Sequence, residues 1–174
     1  MARVTASAPP PAGVPAPAPV ALDLDAVLGD TRQLWDDWLA DVERRFRSIA
    51  QLDLADLPAN RAEAAATLDR WAEHGIGDWR AQLERFAEDH APIYLRPDPG
   101  VNASLRALAA AGARLVAFTD APEPLARIAA AQLGVARRLE AIESGAGAAE
   151  RALALLGPAT VVVRTRGALQ ALAG

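Results

Sequence analysis

The sequence predicts an α/β fold, a parallel Rossmann-like sheet with an all-helical segment inserted after the first strand. Short apolar runs at 20–24 and 115–118 have the length and composition of buried strands. Helical patterns alternate with the later strands, as in parallel sheets built from strand–helix–strand units. Seven of the eight aromatic residues fall between these first two strands, so we expect the inserted segment to have a core of its own.

The composition fits one domain, or one domain that carries an insertion, because the chain has 174 residues, of which 52% are hydrophobic. The formal net charge of −4 argues against a nucleic-acid partner. All 18 basic residues are arginine, so no lysine is available for catalysis. Cysteine is absent, which excludes disulfides, thiolate nucleophiles and cysteine-ligated metals.

Residues 1–19 are rich in proline and alanine, which block regular structure and offer little surface to bury. We expect this segment to be a disordered tail. It has no continuous apolar stretch, which argues against a signal peptide, and no 18-residue apolar run elsewhere suggests a membrane span. The expected location is therefore the cytoplasm.

The inserted segment, predicted at 31–95, contains three helical patterns. Apolar residues recur at helical spacing from Trp35 to Ile49, after possible capping residues at Asp30 and Thr31. Asn60 and Asp78 can cap the second and third helices. A break at 96–100, rich in proline, ends the insertion, so the expected core of the fold is 20–30 and 96–174.

The second half alternates between helices and strands. The expected helices end at Gly112, at Gly134, where glycine is a common stop, and before Gly157. Together with the strand at 20–24, which precedes the insertion, these strands predict a four-stranded sheet in the spatial order 4-1-2-3. The expected later strands are 115–118, 139–142 and 160–163, and a last helix covers 167–173.

Polar side chains follow two of the strands. Asp23 and Asp25 stand at the end of the first strand, and Thr119 at the end of the second. Ligands of open α/β sheets bind at the carboxyl ends of the strands, so we expect these side chains to converge on one pocket beneath the insertion. Two neighbouring carboxylates suit a reaction in which one attacks and the other handles protons.

These residues resemble motifs of the haloacid dehalogenase superfamily, in the branch with a helical cap inserted after the first motif. The stretch 23–31 is similar to the family's opening Asp-x-Asp motif, and Phe118-Thr119-Asp120 to its second motif. The re-entry at 99–101 and the Leu-Gly turn at 132–135 are also similar to the family's pattern.

The resemblance implies a phosphatase acting on a small phosphorylated molecule. Asp23 would form an aspartyl-phosphate, and Asp25 would protonate the leaving oxygen and then activate water. Mg²⁺ would be the cofactor, with Asp23 and Asp25 at the metal, and a homodimer through the cap is a further expectation. The phosphate would contact Thr119, with Asp120 beside it. Arg164 and Arg166, which depart from the family's pattern, are further candidate phosphate contacts, because a guanidinium group could take the role of the missing cations.

The sequence departs from the family's pattern in ways that bear on catalysis. The lysine of the third motif is missing, and Arg164-Thr165-Arg166-Gly167 stands where the fourth motif has acidic residues. Without a cation, two like charges about 4 Å apart repel by about 4 kcal/mol at an effective dielectric near 20, which slows attack about a thousandfold. Arginine binds phosphate well, but it cannot ligate Mg²⁺ and would repel it.

Three interpretations of the sequence follow. The first is a weak phosphatase that acts through Asp23. The second is a catalytically inactive relative that serves as a binding or scaffold module. The third is a dehalogenase, against which Asp25 argues, because family members of that kind usually lack an acid at this position.

Overall fold

A computed structural model describes residues 17–46 and 56–174 of the chain. Four parallel strands form one sheet in the order β3-β2-β1-β4, which confirms the predicted α/β class and strand order. The predicted tail lies outside the described residues except for its last three. The strands are β1 (Val20–Asp23), β2 (Leu115–Thr119), β3 (Ala141–Ser144) and β4 (Val161–Val163).

The central strand β1 sets the position of the candidate site. Val20 is opposite Leu115 on one side and Val161 on the other, and at the far end of the ladder Asp23 is opposite Phe118. All four strands run in the same direction, so Asp23 and the next residue of β2, Thr119, reach the same edge of the sheet.

Seven α-helices surround the sheet in the described part of the chain. The first four lie between β1 and β2, and the predicted insertion, 31–95, covers the first three of these; its division from the core stays a prediction. The helices are α1 (Arg32–Phe46), α2 (Arg61–Trp71), α3 (Trp79–Tyr94), α4 (Pro99–Ala110), α5 (Glu123–Gln132), α6 (Ala148–Leu156) and α7 (Arg166–Ala173).

The two faces of the sheet bury different helices, because successive strand residues point to opposite faces. Ala21, Val116 and Phe118 pack with α6 on one face. Val20, Leu22 and the other alternate residues share a larger core with α4, α5 and α7 on the other face. That core continues into the insertion.

The insertion has an aromatic centre, as its sequence predicts. The ring centroid of Trp38 lies 5.1 Å from that of Trp35 and 5.9 Å from that of Trp79. Helix α3 packs along α5 of the core, where Glu84 pairs with Arg127. Ile49, expected to extend the first helical pattern, lies outside the described residues.

The third strand lies two residues later than the sequence indicates. Ala136–Arg138 forms a short 3₁₀ turn, and the amide of Glu140 donates to the carbonyl of Leu115 (2.7 Å). The ladder with β2 therefore starts at Ala141, opposite Val116. The apolar character of Leu139 and Ile142 suggested the earlier start, but hydrogen bonding to β2 decides the register.

Within residues 17–46 and 56–174, no helix combines the length and the apolar character that crossing a membrane requires.

Candidate active site

The structure brings Asp23, Asp25 and Thr119 to one cavity of about 740 Å³ between the sheet edge and the helical insertion. Asp23 ends β1 and Thr119 ends β2. Asp25 lies in a single π-helical turn, Leu24–Leu28, which the side chain of Asp23 caps by accepting a hydrogen bond from the amide of Ala26 (3.1 Å). Both aspartates line the cavity.

Asp25 is held by hydroxyl and amide donors. The hydroxyl and the amide of Thr31 both donate to Asp25 Oδ1, at 2.6 and 2.9 Å. The hydroxyl of Thr119 donates to Asp25 Oδ2 at 2.6 Å. Thr31 thus steadies the turn after β1.

Arg61 is the functional residue that sequence reasoning missed. It is the first residue of α2, and only 4% of its surface is exposed. Its Nη2 lies 2.5 Å from Asp25 Oδ2 and 2.5 Å from Asp120 Oδ1. The same nitrogen donates to the hydroxyl of Thr119 at 3.3 Å, and Nη1 donates to Thr31 at 2.6 Å. The insertion therefore places a guanidinium group among the polar side chains of the sheet edge.

The contact between Arg61 and Asp25 favours the charged form of both side chains. Burial raises the pKa of Asp25, but the charge of Arg61 and the hydrogen bonds from Thr119 and Thr31 outweigh burial, so this pKa lies below its ordinary value. Burial lowers the pKa of Arg61, but the hydrogen bonds and charges of Asp120 and Asp25 outweigh burial, so this pKa lies above its ordinary value. At neutral pH Asp25 is an anion and Arg61 a cation.

Asp23, the predicted nucleophile, lies beside a different arginine. Arg164 directly follows β4, and its Nη1 lies 3.5 Å from Asp23 Oδ2. The guanidinium of Arg164 also lies over the ring of Phe118, 5.3 Å from its centroid. Arg164 is thus close enough to offset the charge of Asp23, although 63% of its side chain is exposed.

The other predicted phosphate contacts differ in position. Asp120 lines the cavity and bonds to Arg61 through both of its oxygens. Arg166 points elsewhere: its Nε donates to the carbonyl of Val27 and its Nη1 to Asp98, each at 3.2 Å. The structure therefore does not bring Arg166 to the other residues of the predicted site.

The segment where the family has its lysine also faces the cavity. The residues from Gly145 to Ala149, which lead into the first turn of α6, line the cavity. The one cation nearby in sequence, Arg151, folds back to Glu143 (2.7 Å) and to the carbonyl of Ser144 (2.6 Å). It closes this loop rather than reaching the aspartates.

The donor set does not fit Mg²⁺. This ion requires an octahedral shell of oxygen ligands at about 2.0–2.1 Å, usually including carboxylates. The two carboxylates assigned to the metal, Asp23 and Asp25, each lie against a guanidinium group, which repels a divalent cation. In the part of the chain that the structure describes, no three acidic, histidine or cysteine side chains are grouped so that they could hold a metal.

The chain is similar to known proteins in its structure, and no match was found from its sequence. No protein-family model matches the chain, and no curated protein matches its sequence. A solved structure of CbbY from Rhodobacter sphaeroides in complex with phosphate matches at a TM-score of 0.59 and 17% identity, over 82% of this chain and 75% of that one. A structure of a putative beta-phosphoglucomutase from Thermotoga maritima matches at a TM-score of 0.53 and 17% identity. The match covers 83% of this chain and 74% of that one.

Both structural neighbours have the fold of the haloacid dehalogenase superfamily. They share with this chain the parallel sheet and the surrounding helices, and at 17% identity the likeness concerns the fold. The chain therefore has the haloacid dehalogenase-like α/β fold.

Proposed function

We propose that this chain is a haloacid dehalogenase-like module that binds a small molecule and lacks magnesium-dependent phosphatase activity. The observation that carries this proposal is the position of Arg61, whose guanidinium bonds to Asp25, Asp120 and Thr119. The groups that would handle the proton and the phosphoryl oxygens are engaged by the protein itself.

Proton transfer supports the proposal. In a phosphatase of this fold Asp25 would have to give a proton to the leaving oxygen, as a general acid. A good general acid has a pKa near the working pH, whereas Arg61, Thr31 and Thr119 hold the pKa of Asp25 below its ordinary value. At neutral pH Asp25 has no proton to donate.

The charge of the cavity also supports the proposal. Among the described residues, the lining contains six carboxylates and three guanidinium groups, a formal charge of −3. The three arginines, Arg32, Arg61 and Arg164, each pair with an aspartate. A phosphate dianion would have to compete with these carboxylates for the arginines and would meet the excess negative charge of the lining. We therefore expect the ligand to be a neutral or cationic small molecule that fits about 740 Å³.

The activity test is hydrolysis of a generic aryl phosphate by the purified protein, with and without millimolar Mg²⁺, beside an Asp23→Asn control. We expect equal and negligible turnover in all four conditions. Magnesium-dependent turnover that disappears in the control would contradict the proposal and establish a phosphatase. Turnover that needs Asp23 but no metal would contradict it too, and would favour an arginine-assisted phosphatase.

The binding test measures the melting temperature with matched sets of neutral, cationic and phosphorylated small molecules. We expect the largest increases from neutral or cationic compounds, and we expect Trp35→Phe, a change in the cavity wall, to alter them. If phosphate esters stabilise the protein most, and Arg164→Met abolishes that effect, the ligand class proposed is wrong.

A further inference from the structure

We infer that the ligand of this cavity is an organic cation, and that Asp23 Oδ2 binds its ammonium group in place of Arg164. The inference rests on the proposed function and deepens it, because it selects one class of ligand and names the side chain that recognises it. Arg164 holds this position by a weak contact and gives way to the ligand.

Asp23 keeps one carboxylate oxygen without a hydrogen bond. Its Oδ1 accepts from the amide of Ala26 at 3.1 Å. Among the described residues, no group donates a hydrogen bond to Oδ2, and Arg164 Nη1 stays 3.5 Å away from it, beyond the usual range. Asp23 lines the cavity, and 22% of its side chain is exposed. A ligand donor can therefore reach Oδ2 and form a charge-assisted hydrogen bond there.

The neighbouring carboxylates are already engaged by the protein. Arg61 Nη2 lies 2.5 Å from Asp25 Oδ2 and 2.5 Å from Asp120 Oδ1, and Thr31 donates twice to Asp25 Oδ1. A ligand cation at either aspartate would have to break bonds to a guanidinium group that is almost fully buried. Asp23 is therefore the carboxylate at this end of the sheet to which a ligand can bind without such a loss.

Arg164 is a weak competitor for Asp23. Its side chain is 63% exposed, and exposed ion pairs contribute little because water screens them. Its guanidinium also lies 5.3 Å from the ring centroid of Phe118, an attraction that does not depend on Asp23. Arg164 can thus leave Asp23 and keep its contact with the aromatic ring.

The charge of the cavity favours a cation over an anion. Of the six carboxylates in the lining, Asp36, Glu63 and Glu150 pair with no arginine of the described chain. They belong to three helices, α1, α2 and α6, so their charge acts from several directions. A cavity lined by an excess of one charge attracts small ions of the opposite sign.

An ammonium group suits Asp23 better than a guanidinium group does. A guanidinium group binds best through two parallel hydrogen bonds to both carboxylate oxygens, and Oδ1 already accepts from Ala26. An ammonium group is a compact charge that can bind through one oxygen. Trp35 and Phe118 line the same cavity and supply apolar surface for the rest of the ligand.

The test compares benzylamine, benzyl alcohol and benzoate, which share one ring and differ in charge. Their binding to the full chain is measured by nuclear magnetic resonance titration at millimolar concentrations. We expect benzylamine to bind at least about tenfold more tightly than benzyl alcohol, because hydrogen bonds between charged groups are the stronger ones. We expect benzoate to bind most weakly, because the lining repels it.

Asp23→Asn removes the charge and keeps an acceptor oxygen for Ala26. It should weaken benzylamine binding by at least about tenfold and change benzyl alcohol binding little. Asp36→Asn removes the same charge elsewhere in the lining and is the matched control. It should weaken benzylamine binding less, because Asp36 contributes to the overall charge of the cavity and not to the ammonium contact.

Arg164→Met should strengthen benzylamine binding about threefold, because it removes the competing cation. Arg32→Met is its matched control: Arg32 lines the same cavity and is 61% exposed, but it pairs with Asp30. The control should give a smaller gain. In an Asp23→Asn background the gain from Arg164→Met should disappear, because the two substitutions act on one contact.

Four results would overturn the inference. Two concern the probes: no binding of benzylamine, or benzyl alcohol binding as tightly as benzylamine. Two concern the variants: Asp23→Asn weakening benzylamine binding no more than Asp36→Asn, or Arg164→Met strengthening it no more than Arg32→Met. If circular dichroism shows that Asp23→Asn is unfolded, the comparison of the two arginine variants decides.

The benzylamine titrations and the aryl phosphate assay separate the inference from the proposed function. Benzyl alcohol binding more tightly than benzylamine, beside an inactive wild type, would contradict only the inference. Turnover of the aryl phosphate that needs Asp23 would contradict the proposed function, and the titrations would still decide whether Asp23 binds a cation.

Discussion

At the scale of single residues, the site is dominated by a buried ion pair between Arg61 and Asp25, whose side chains are 5% and 7% exposed. Removing two charges from water is costly, and a buried pair persists only where geometry is good and the remaining donors and acceptors are satisfied. Here Thr31, Thr119 and Asp120 complete the hydrogen bonding. The arrangement is a fixed polar network that leaves little freedom for proton transfer.

The lowered pKa of Asp25 predicts acid sensitivity. Its pKa in the folded state lies below the unfolded value of about 3.9, so the unfolded chain binds more protons in that window. The stability due to Asp25 is complete above about pH 4 and is lost as the pH falls through the folded pKa. We expect the urea midpoint to fall from pH 5 to pH 3 more in the wild type than in Asp25→Asn.

Asp30→Asn is the control for this comparison, because Asp30 is an exposed carboxylate in the same segment, paired with Arg32. The prediction is wrong if Asp25→Asn loses as much stability between pH 5 and pH 3 as the wild type does.

Sequence reasoning reached the aspartates and not the arginine that binds them. Asp23, Asp25 and Thr119 follow apolar strands, a pattern that itself points to the sheet edge. Arg61 follows a capping residue at the start of a helix, where an arginine is ordinarily solvated, and no local signal distinguishes it from Arg32 at the start of α1. Its burial depends on how the insertion packs over the sheet, which is a long-range property.

At the scale of elements, short local signals position the site. Asn60, Asp78 and Thr165 cap α2, α3 and α7 with their side chains. The first two caps were predicted from the sequence, because a capping side chain and the amides it accepts from are neighbours along the chain. Strand β3 was placed two residues early, because its register depends on pairing with β2 and not on local composition.

The cap of α2 is expected to affect both stability and the site. Asn60→Ala removes the acceptor for two amides, so the free energy of unfolding should decrease by about 1 kcal/mol. Asn60→Asp, which keeps the acceptor oxygens, should stay near the wild type. Chemical denaturation of the wild type and both variants measures these free energies of unfolding.

Because Arg61 follows Asn60, the alanine variant should also weaken the contact with Asp25. Equal stability of the alanine and aspartate variants would show that the cap contributes nothing.

At the scale of the whole molecule, the helical insertion and the sheet meet in two regions of the described chain. Helix α3 packs along α5, where Arg127 pairs with Glu84, and the start of α2 reaches the ends of β1 and β2 through Arg61. The first contact holds the insertion on the core. The second brings Arg61 to the carboxyl edge of the sheet, where it lines the same cavity as Asp23.

The strand order and the position of the cavity followed from the sequence, because alternation of strands and helices restricts parallel sheets to few arrangements. The absence of lysine and of acids after β4 was also visible there. The contacts of the two arginines that stand there were not visible: Arg164 lies beside Asp23, whereas Arg166, two residues later, pairs with Asp98. In a strand, residues two apart point to the same face of the sheet, but this rule does not extend to Arg164 and Arg166, because they follow the end of β4.

The central claim is that Arg61, and no metal ion, neutralises the carboxylates of this site. A crystal structure of the protein grown in millimolar Mg²⁺ with inorganic phosphate tests it most directly. The account predicts the guanidinium of Arg61 between Asp25 and Asp120, and no divalent ion in the cavity. An ordered, octahedral, oxygen-ligated ion beside Asp23 or Asp25, with Arg61 displaced, would contradict it.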